Sequence, residues 1–387
     1  MSSHPALAQS SDFLIIGAGI AGASVGYWLA THGRVRLLER ESHPGYHSTG
    51  RSAALFMESY GTPQVRALTR ASRAFFEDPP AGFCEFPLLS SRGALFVATH
   101  GQEPQLAVHW DMLSALTDRA ERLDASAACA RVPVLRRDRI AAAIFEPDPA
   151  EMDVHAIHQG YLRGIARNGG TLVCDAEVTA LTCTHGIWQV TAGDARYEAP
   201  IVINAAGAWA DVIAQSAGVR PIGLEPRRRS ALIFAPPTGV DVSHWPATIS
   251  AAEDWYLKPD AGMLLGSPAN ADPTVPQDVQ PEELDIALAI DRIESMTTLS
   301  IRRPTRIWAG LRSFVADGDL VGGFDDEAPG FFWVAAQGGY GIQTSPAMGA
   351  ACAALVRGLA MPRAIAAQGV TTEMLSPTRL ARPGRYT

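Results

Sequence analysis

Three glycines and one acid carry the first chemical signal in this chain. Gly17-Ala18-Gly19-Ile20-Ala21-Gly22 fits the pattern G-x-G-x-x-G, and Glu39 follows 22 residues after Gly17. A glycine-rich hexamer alone is weak, because such runs arise by chance. Here it follows a short apolar run, Phe13–Ile16, that reads as a buried strand, and it opens a helical stretch from Ile20 to His32 that Gly33 stops. Val35–Leu38 then read as a second strand, closed by Glu39. In such a unit the glycines let the backbone approach a pyrophosphate, the helix N-terminus supplies N–H groups and a positive dipole end, and the acid accepts hydrogen bonds from ribose hydroxyls. The chemistry implied is dinucleotide binding rather than a mere turn of an α/β sheet.

Two further segments choose between FAD and a nicotinamide. Gly45–Ala54 (GYHSTGRSAA) is a loop of small residues shortly after Glu39, suited to a flat ring lying against backbone; it contains His47, Ser48, Thr49, Ser52 and Ala53. Near the C-terminus, Gly338-Gly339-Tyr340-Gly341-Ile342-Gln343-Thr344 precedes a helix whose N–H groups suit the flavin N1–C2=O edge, where negative charge collects on reduction. A nicotinamide enzyme needs neither. The chain also lacks a second G-x-G-x-x-G for NAD(P)H, so the substrate itself is the expected reductant.

The elements that position these residues give the fold class: α/β, a Rossmann-type FAD-binding domain with an inserted α+β substrate domain. Pro63–Phe76 read as a helix, and Asp78–Phe86, with two prolines, as a crossing between domains. The pattern from Pro87 to Ile144 is mixed. Asp153–Asn168 read as an amphipathic helix with Asp153 near its N-cap. Strand-like runs return at Thr171–Leu181, Gly186–Thr191 and Pro200–Asn204. A second crossing falls between Pro221 and Pro246, and Gly330–Ala335 lead to a last helix, Ser345–Gly358. The expected boundaries are 10–85, 145–225 and 307–380 for the FAD-binding domain, and 86–144 and 226–306 for the substrate-binding domain.

Bulk properties set the class of partner. The chain has 387 residues, 47% hydrophobic and 19% charged, enough for two domains with buried cores. Forty acids against thirty-two bases leave a net charge of -8, which does not suit nucleic acid or an anionic membrane. Only one of the bases, Lys258, is a lysine. The five cysteines form no CxxC pair, so neither a disulfide framework nor a metal site is indicated. No uncharged run reaches the roughly 18 residues that span a bilayer. The N-terminal dozen residues have no signal-peptide pattern, which makes the cytoplasm the default expectation.

With these motifs in view, the sequence resembles the glycine oxidase, sarcosine oxidase and D-amino acid oxidase/dehydrogenase group of FAD enzymes, from about Asp12 to Arg379. It is most similar to the bacterial D-arginine dehydrogenases, through GAGIAGAS, GYHSTGRSAA, Ala205–Trp209, Trp255–Asn270, Ala309–Phe314 and Gln337–Ser345. The resemblance implies that Arg229 and Arg312 bind a substrate carboxylate, that Tyr60 and Tyr256 help close the site, and that Gly339 offers its carbonyl to the substrate amine. A planar guanidinium grips a carboxylate bidentately, which would fix Cα over the flavin. A solvated arginine is the competing reading for Arg229 in its run Arg227–Arg229. The implied cofactor contacts extend to Arg40, Val178, Gly207, Gly338, Gly341, Ile342 and Gln343. For His47 a loop histidine satisfied by the backbone is expected rather than a catalytic base.

The side-chain pocket is where this chain departs from arginine-preferring relatives. Their glutamate matches Ala94 here, and their histidine after RSAA matches Leu55, with Met57 nearby. A pocket without that carboxylate cannot offset the desolvation of a guanidinium. Apolar or aromatic D-amino acids are therefore expected over D-arginine, unless Glu58 points inward. Sarcosine oxidase-type relatives place an oxygen-activating lysine where Leu264 stands, and tether FAD through a cysteine near the segment that here reads Arg312-Ser313-Phe314. Their absence implies a dehydrogenase that uses a quinone or other acceptor and binds FAD non-covalently. The implied reaction passes a hydride from Cα to flavin N5, and hydrolysis of the imine gives a 2-oxo acid and ammonia. The rivals are an amine or N-methyl amino acid oxidase of the same fold, a flavin-binding subunit without turnover, and an NAD-dependent dehydrogenase.

Overall fold

The computed structural model describes residues 8–380, so most of the N-terminal stretch read above for a signal peptide lies outside it. The run Phe13–Ile16 has no polar position, as a strand covered on both faces requires. It lies inside a six-stranded sheet, between Val35–Leu38, itself flanked by Thr171–Val173, and Ile201–Asn204, which is followed by Phe331–Ala335 and Val321–Phe324. Every neighbouring pair is parallel except the last. Phe13 and Ile15 pack with Val25 and Leu29 of helix Ile20–Leu29, while Leu14 and Ile16 pack with Trp188 and Val190 of a four-stranded sheet. Alternate side chains thus feed two separate cores, each fully buried large residue contributing about 1.5–3 kcal/mol.

Helices Ile20–Leu29, Val154–Arg167 and Ser345–Val356 cover the first face. The second begins where its sequence demands, since the Asp153 carboxylate accepts from the Ala156 N–H at 2.8 Å. The run expected as one strand over Thr171–Leu181 divides into Thr171–Val173 and Val178–Thr184, which join different sheets after a turn at Asp175, φ +50°.

A nine-stranded mixed sheet forms the second layer system. Its centre is Glu225–Phe234, Met263–Ser267, Tyr256–Asp260, Ala247–Ser250, Ala94–Ala98 and Ala142–Glu146, hydrogen-bonded in that order. The strand Arg306–Phe314 runs antiparallel to Glu225–Phe234 over nine residue pairs. The segment expected to return to the cofactor side at 307 therefore opens with a strand of the other sheet, because this long ladder satisfies its backbone there. The mixed stretch 87–144 resolves into short strands and the helices Glu103–Ser114 and Ala125–Arg131.

Candidate functional site

The glycine hexamer sits at the C-terminal edge of the six-stranded sheet. Gly17 has φ +98°, and a Cβ there would lie 2.5 Å from the Ala205 carbonyl oxygen. A Cβ on Gly22 would lie 1.9 Å from the Gly17 oxygen, so Gly22 serves helix–strand packing behind the cleft and does not line it. Glu39 is buried; its carboxylate accepts from the N–H groups of Ala18 at 2.9 Å and Glu41 at 3.1 Å, which fixes it at the cleft wall. Gly17, Gly19, Glu39, Arg40, His47, Ser48, Thr49, Val178, Gly207 and Gly338 line one continuous cleft. His47 donates to or accepts from Glu41 at 2.9 Å, and Arg40 lies over the Trp209 ring at 5.0 Å. Thr49 Oγ1 accepts from the Ile20 N–H at 3.0 Å, tying the small-residue loop to the helix start.

A throat lined by Ser48, Thr49, Ser52, Ala53, Gly338, Gly341 and Ile342 leads on from this cleft. Arg229, Tyr256, Arg312 and Gly339 line both the throat and a second cavity beyond it. Arg229 pairs in register with Gly310, and Arg312 with Arg227, so the two arginines are diagonal neighbours on one face of adjacent strands. The three arginines of the run Arg227–Arg229 differ in their surroundings. Arg227 pairs with Glu225 at 2.5 Å and Arg228 with Asp285 at 2.9 Å and with Glu282. Arg229 instead donates to the Asn270 carbonyl at 2.5 Å, and Arg312 to the Tyr60 hydroxyl at 3.3 Å. Neither forms an ion pair with a carboxylate of the described residues. Burial, and after it the Arg312 cation, pull the Arg229 guanidinium below the usual arginine range. The two cations share one partly buried corner, with the exposed Glu253 carboxylate acting on Arg229 without contact, and such a corner favours an anion.

The cavity wall is mostly apolar. Leu55, Met57, Phe96, Met152, Ile249, Trp255 and Ile342 line it, with Tyr60 near the arginines. Gln343 also lines it, and its Oε1 accepts from the Met57 N–H at 3.2 Å. Ala94 does not line it: this residue is wholly buried, packs beside Phe96 in the core cluster behind the cavity wall, and faces Glu146 across the sheet. It is Phe96, two residues on, that reaches the cavity. Glu58 is held away by Arg73 at 2.6 Å. Besides the apolar wall residues Phe96, Met152, Ile249 and Trp255, three polar residues at the site are not evident from the sequence motifs. Glu253 reaches the cavity from an exposed loop position. Tyr340 stacks edge-on against Tyr60 at 5.0 Å; burial first, and Tyr60 next, push its phenol up to about 12. Lys258 lines the cavity two residues after Tyr256, and the period of two along a strand was the signal that would have found it.

Comparison with known proteins matches this arrangement to a family. Residues 12–355 fit the model of the DAO family, FAD dependent oxidoreductase, and the chain belongs to that family. FAD is its cofactor, and the cleft fits that group in its glycine turn, its anchored acid and its long extension to the throat. A relative, FAD-dependent oxidoreductase domain-containing protein 1 of Bos taurus, is 23% identical over 90% of this chain and 81% of its own. The fold is shared with L-proline dehydrogenase from P. horikoshii, with TM-score 0.82 and 20% identity over 96% of this chain and 98% of that one. It is also shared with glycine oxidase from Geobacillus kaustophilus, with TM-score 0.79 and 20% identity over 91% and 95%. Among the described residues no helix is long and apolar enough to cross a membrane.

Proposed function

We propose that this chain is an FAD-dependent D-amino acid dehydrogenase, taking apolar or a broad range of side chains and giving a 2-oxo acid and ammonia. The observation that carries this reading is the pair Arg229 and Arg312, two cations without a carboxylate partner where the cofactor cleft meets the cavity. When bound, FAD supplies the acceptor for the electrons that leave Cα. The protein's own work is binding and orientation. Arg312 and Arg229 grip the substrate carboxylate, Tyr60 and Tyr256 flank it, and the Gly339 carbonyl accepts from the amine. Only the neutral amine gives up its electrons, so turnover rises with pH. The apolar wall of Leu55, Met57, Phe96 and Ile249 takes the side chain and gives a guanidinium no neutralising partner. Leu264, the position matched to the oxygen-activating lysine, is fully buried in another core cluster and lines neither the cavity nor the throat; the quinone or other carrier is proposed on the family resemblance. The cleft lining contains no cysteine, in keeping with non-covalent FAD.

The test is anaerobic bleaching of the flavin band at about 450 nm, a typical oxidised-flavin absorption, with D- and L-amino acids, sarcosine and 2-hydroxy acids. Fast bleaching by apolar D-amino acids with D-arginine slow supports the proposal. Bleaching by secondary amines alone, with rapid oxygen consumption, moves the function to N-methyl amino acid oxidation.

A further inference from the structure

The wall of the cavity holds one element that a purely apolar pocket does not need. Lys258, the chain's single lysine, is 5% exposed and lines the cavity. It alternates with Leu257 along the strand Tyr256–Asp260: Leu257 enters the opposite core cluster, while Tyr256 and Lys258 face the cavity. Tyr256 lines both the throat and the cavity, whereas Lys258 lines only the cavity, so Lys258 stands at the end remote from the arginines. The neighbouring strand is in register here. Ile249 pairs with Tyr256, and the small Ala247, two residues back, leaves space beside Lys258.

The hydrogen bonds of this ammonium are incomplete. It donates to Glu151 Oε1 at 3.1 Å and to Asp260 Oδ1 at 3.3 Å. An ammonium has three donors, and the third has no acceptor among the described residues. Glu151 is shared, because its other oxygen accepts from Arg92 at 2.8 Å. Arg92, Lys258, Glu151 and Asp260 are therefore two cations and two anions, balanced without any further charge. Lys258 forms part of the cavity wall, whereas its acceptors Glu151 and Asp260 do not. A buried donor left unmet is unfavourable, and that cost disappears when a bound molecule brings an acceptor.

We infer that Lys258 reads the distal end of the substrate side chain, selecting amino acids that end in an uncharged hydrogen-bond acceptor, such as an amide, and rejecting those that end in a cation. This rests on the amino acid reading above and narrows its broad-range form to side chains with an apolar stem and an uncharged acceptor at the end. Charge balance in the cluster gives an added carboxylate little gain, and a guanidinium or ammonium meets a donor of its own sign. The exposed Glu253 carboxylate does not compensate, since the groups it acts on are Arg229 and Tyr340, at the other end.

The experiment compares kcat/KM for glutamine and methionine, near-isosteres that differ in the terminal acceptor, and for lysine and norleucine, using the FAD-loaded enzyme and its Lys258→Met and Lys258→Arg variants. Each pair is measured on one preparation, so partial unfolding or incomplete FAD loading cancels in the ratio. In the natural enzyme glutamine exceeds methionine and norleucine exceeds lysine. Lys258→Met lowers the glutamine-to-methionine ratio at least tenfold, while Lys258→Arg, which keeps a donor, retains a preference for glutamine. An unchanged ratio in Lys258→Met overturns the inference. If that variant does not fold, the natural enzyme decides, and methionine equal to or better than glutamine overturns it. Should no amino acid reduce the flavin, the amino acid reading itself has failed; reduction with unmoved ratios removes the role of Lys258 alone.

Discussion

A methyl group placed on Gly339 would sit 2.8 Å from Arg312 Nη1 and 2.9 Å from its Cζ. The backbone at 339 therefore bounds where the guanidinium lies, and a side chain fits there only if Arg312 shifts, although φ at 339 is not in the left-handed region. Gly339→Ala should push Arg312 out of line and lower kcat/KM by about 100-fold, the usual scale for a misplacement near 1 Å. Flavin content should stay normal. Steady-state kinetics beside the flavin-to-protein absorbance ratio checks this, and full activity would show that Arg312 does not orient the substrate.

The arginine pair makes a prediction with opposite signs for function and stability. Arg312→Lys keeps the charge but loses the fork, and should lower kcat/KM by roughly 10- to 100-fold, chiefly through KM. Arg229→Gln should cost a similar factor. It should also raise the ligand-free Tm by roughly 2 °C, because it relieves two like charges that no contacting carboxylate neutralises. A simple carboxylate such as benzoate should stabilise the natural enzyme and not Arg229→Gln. Thermal denaturation with and without benzoate tests both signs, and a lower Tm for the variant would mean that the Asn270 bond outweighs the repulsion.

Glu39 holds its position through two backbone donors, Ala18 and Glu41. Glu39→Gln replaces one acceptor oxygen by a donor that faces an N–H and weakens the expected grip on ribose. FAD affinity should fall by roughly 10- to 100-fold, the range for losing a charge-assisted bond. Dialysis followed by measurement of residual flavin tests it; unchanged retention would assign Glu39 to the protein scaffold alone.

The cofactor side of this molecule was legible because its signals are local. Gly17, Gly19, Gly22 and Glu39 lie within one strand–helix–strand unit, and Asp153 announces its helix by a cap that spans three residues. The substrate side depends on pairing between distant strands. Nothing near Arg229 in the chain tells that Gly310 faces it, or that Arg227 and Arg228 find acids while Arg229 does not. The family motif points to Ala94 as a pocket residue, but strand alternation cannot tell which same-face residue, 94 or 96, reaches the cavity. Register does not decide it either, since Ala247 beside Ala94 and Ile249 beside Phe96 both line the cavity; of the pair, only the larger Phe96 side chain reaches it.

Glu146, opposite Ala94, gives a pH prediction that is independent of catalysis. Its side chain is 2% exposed, and the Ser59 hydroxyl donates to Oε2 at 2.7 Å. Burial raises its carboxyl from 4.5 to about 7; the Ser59 bond opposes this, while the charges of Asp148 and Glu58 add to it and Arg73 resists. Between those two values the folded protein holds a proton that the unfolded chain has released. Stability must then fall as pH rises through that window and level off above it, by up to about 3 kcal/mol. Glu146→Gln keeps an acceptor for Ser59 and cannot ionise, so it should flatten this slope and be the more stable protein at pH 8. Denaturant unfolding of both proteins from pH 5 to pH 8 measures the difference directly. Parallel pH profiles would show that Glu146 is already ionised in the folded state, stabilised by Arg73 more strongly than burial opposes it.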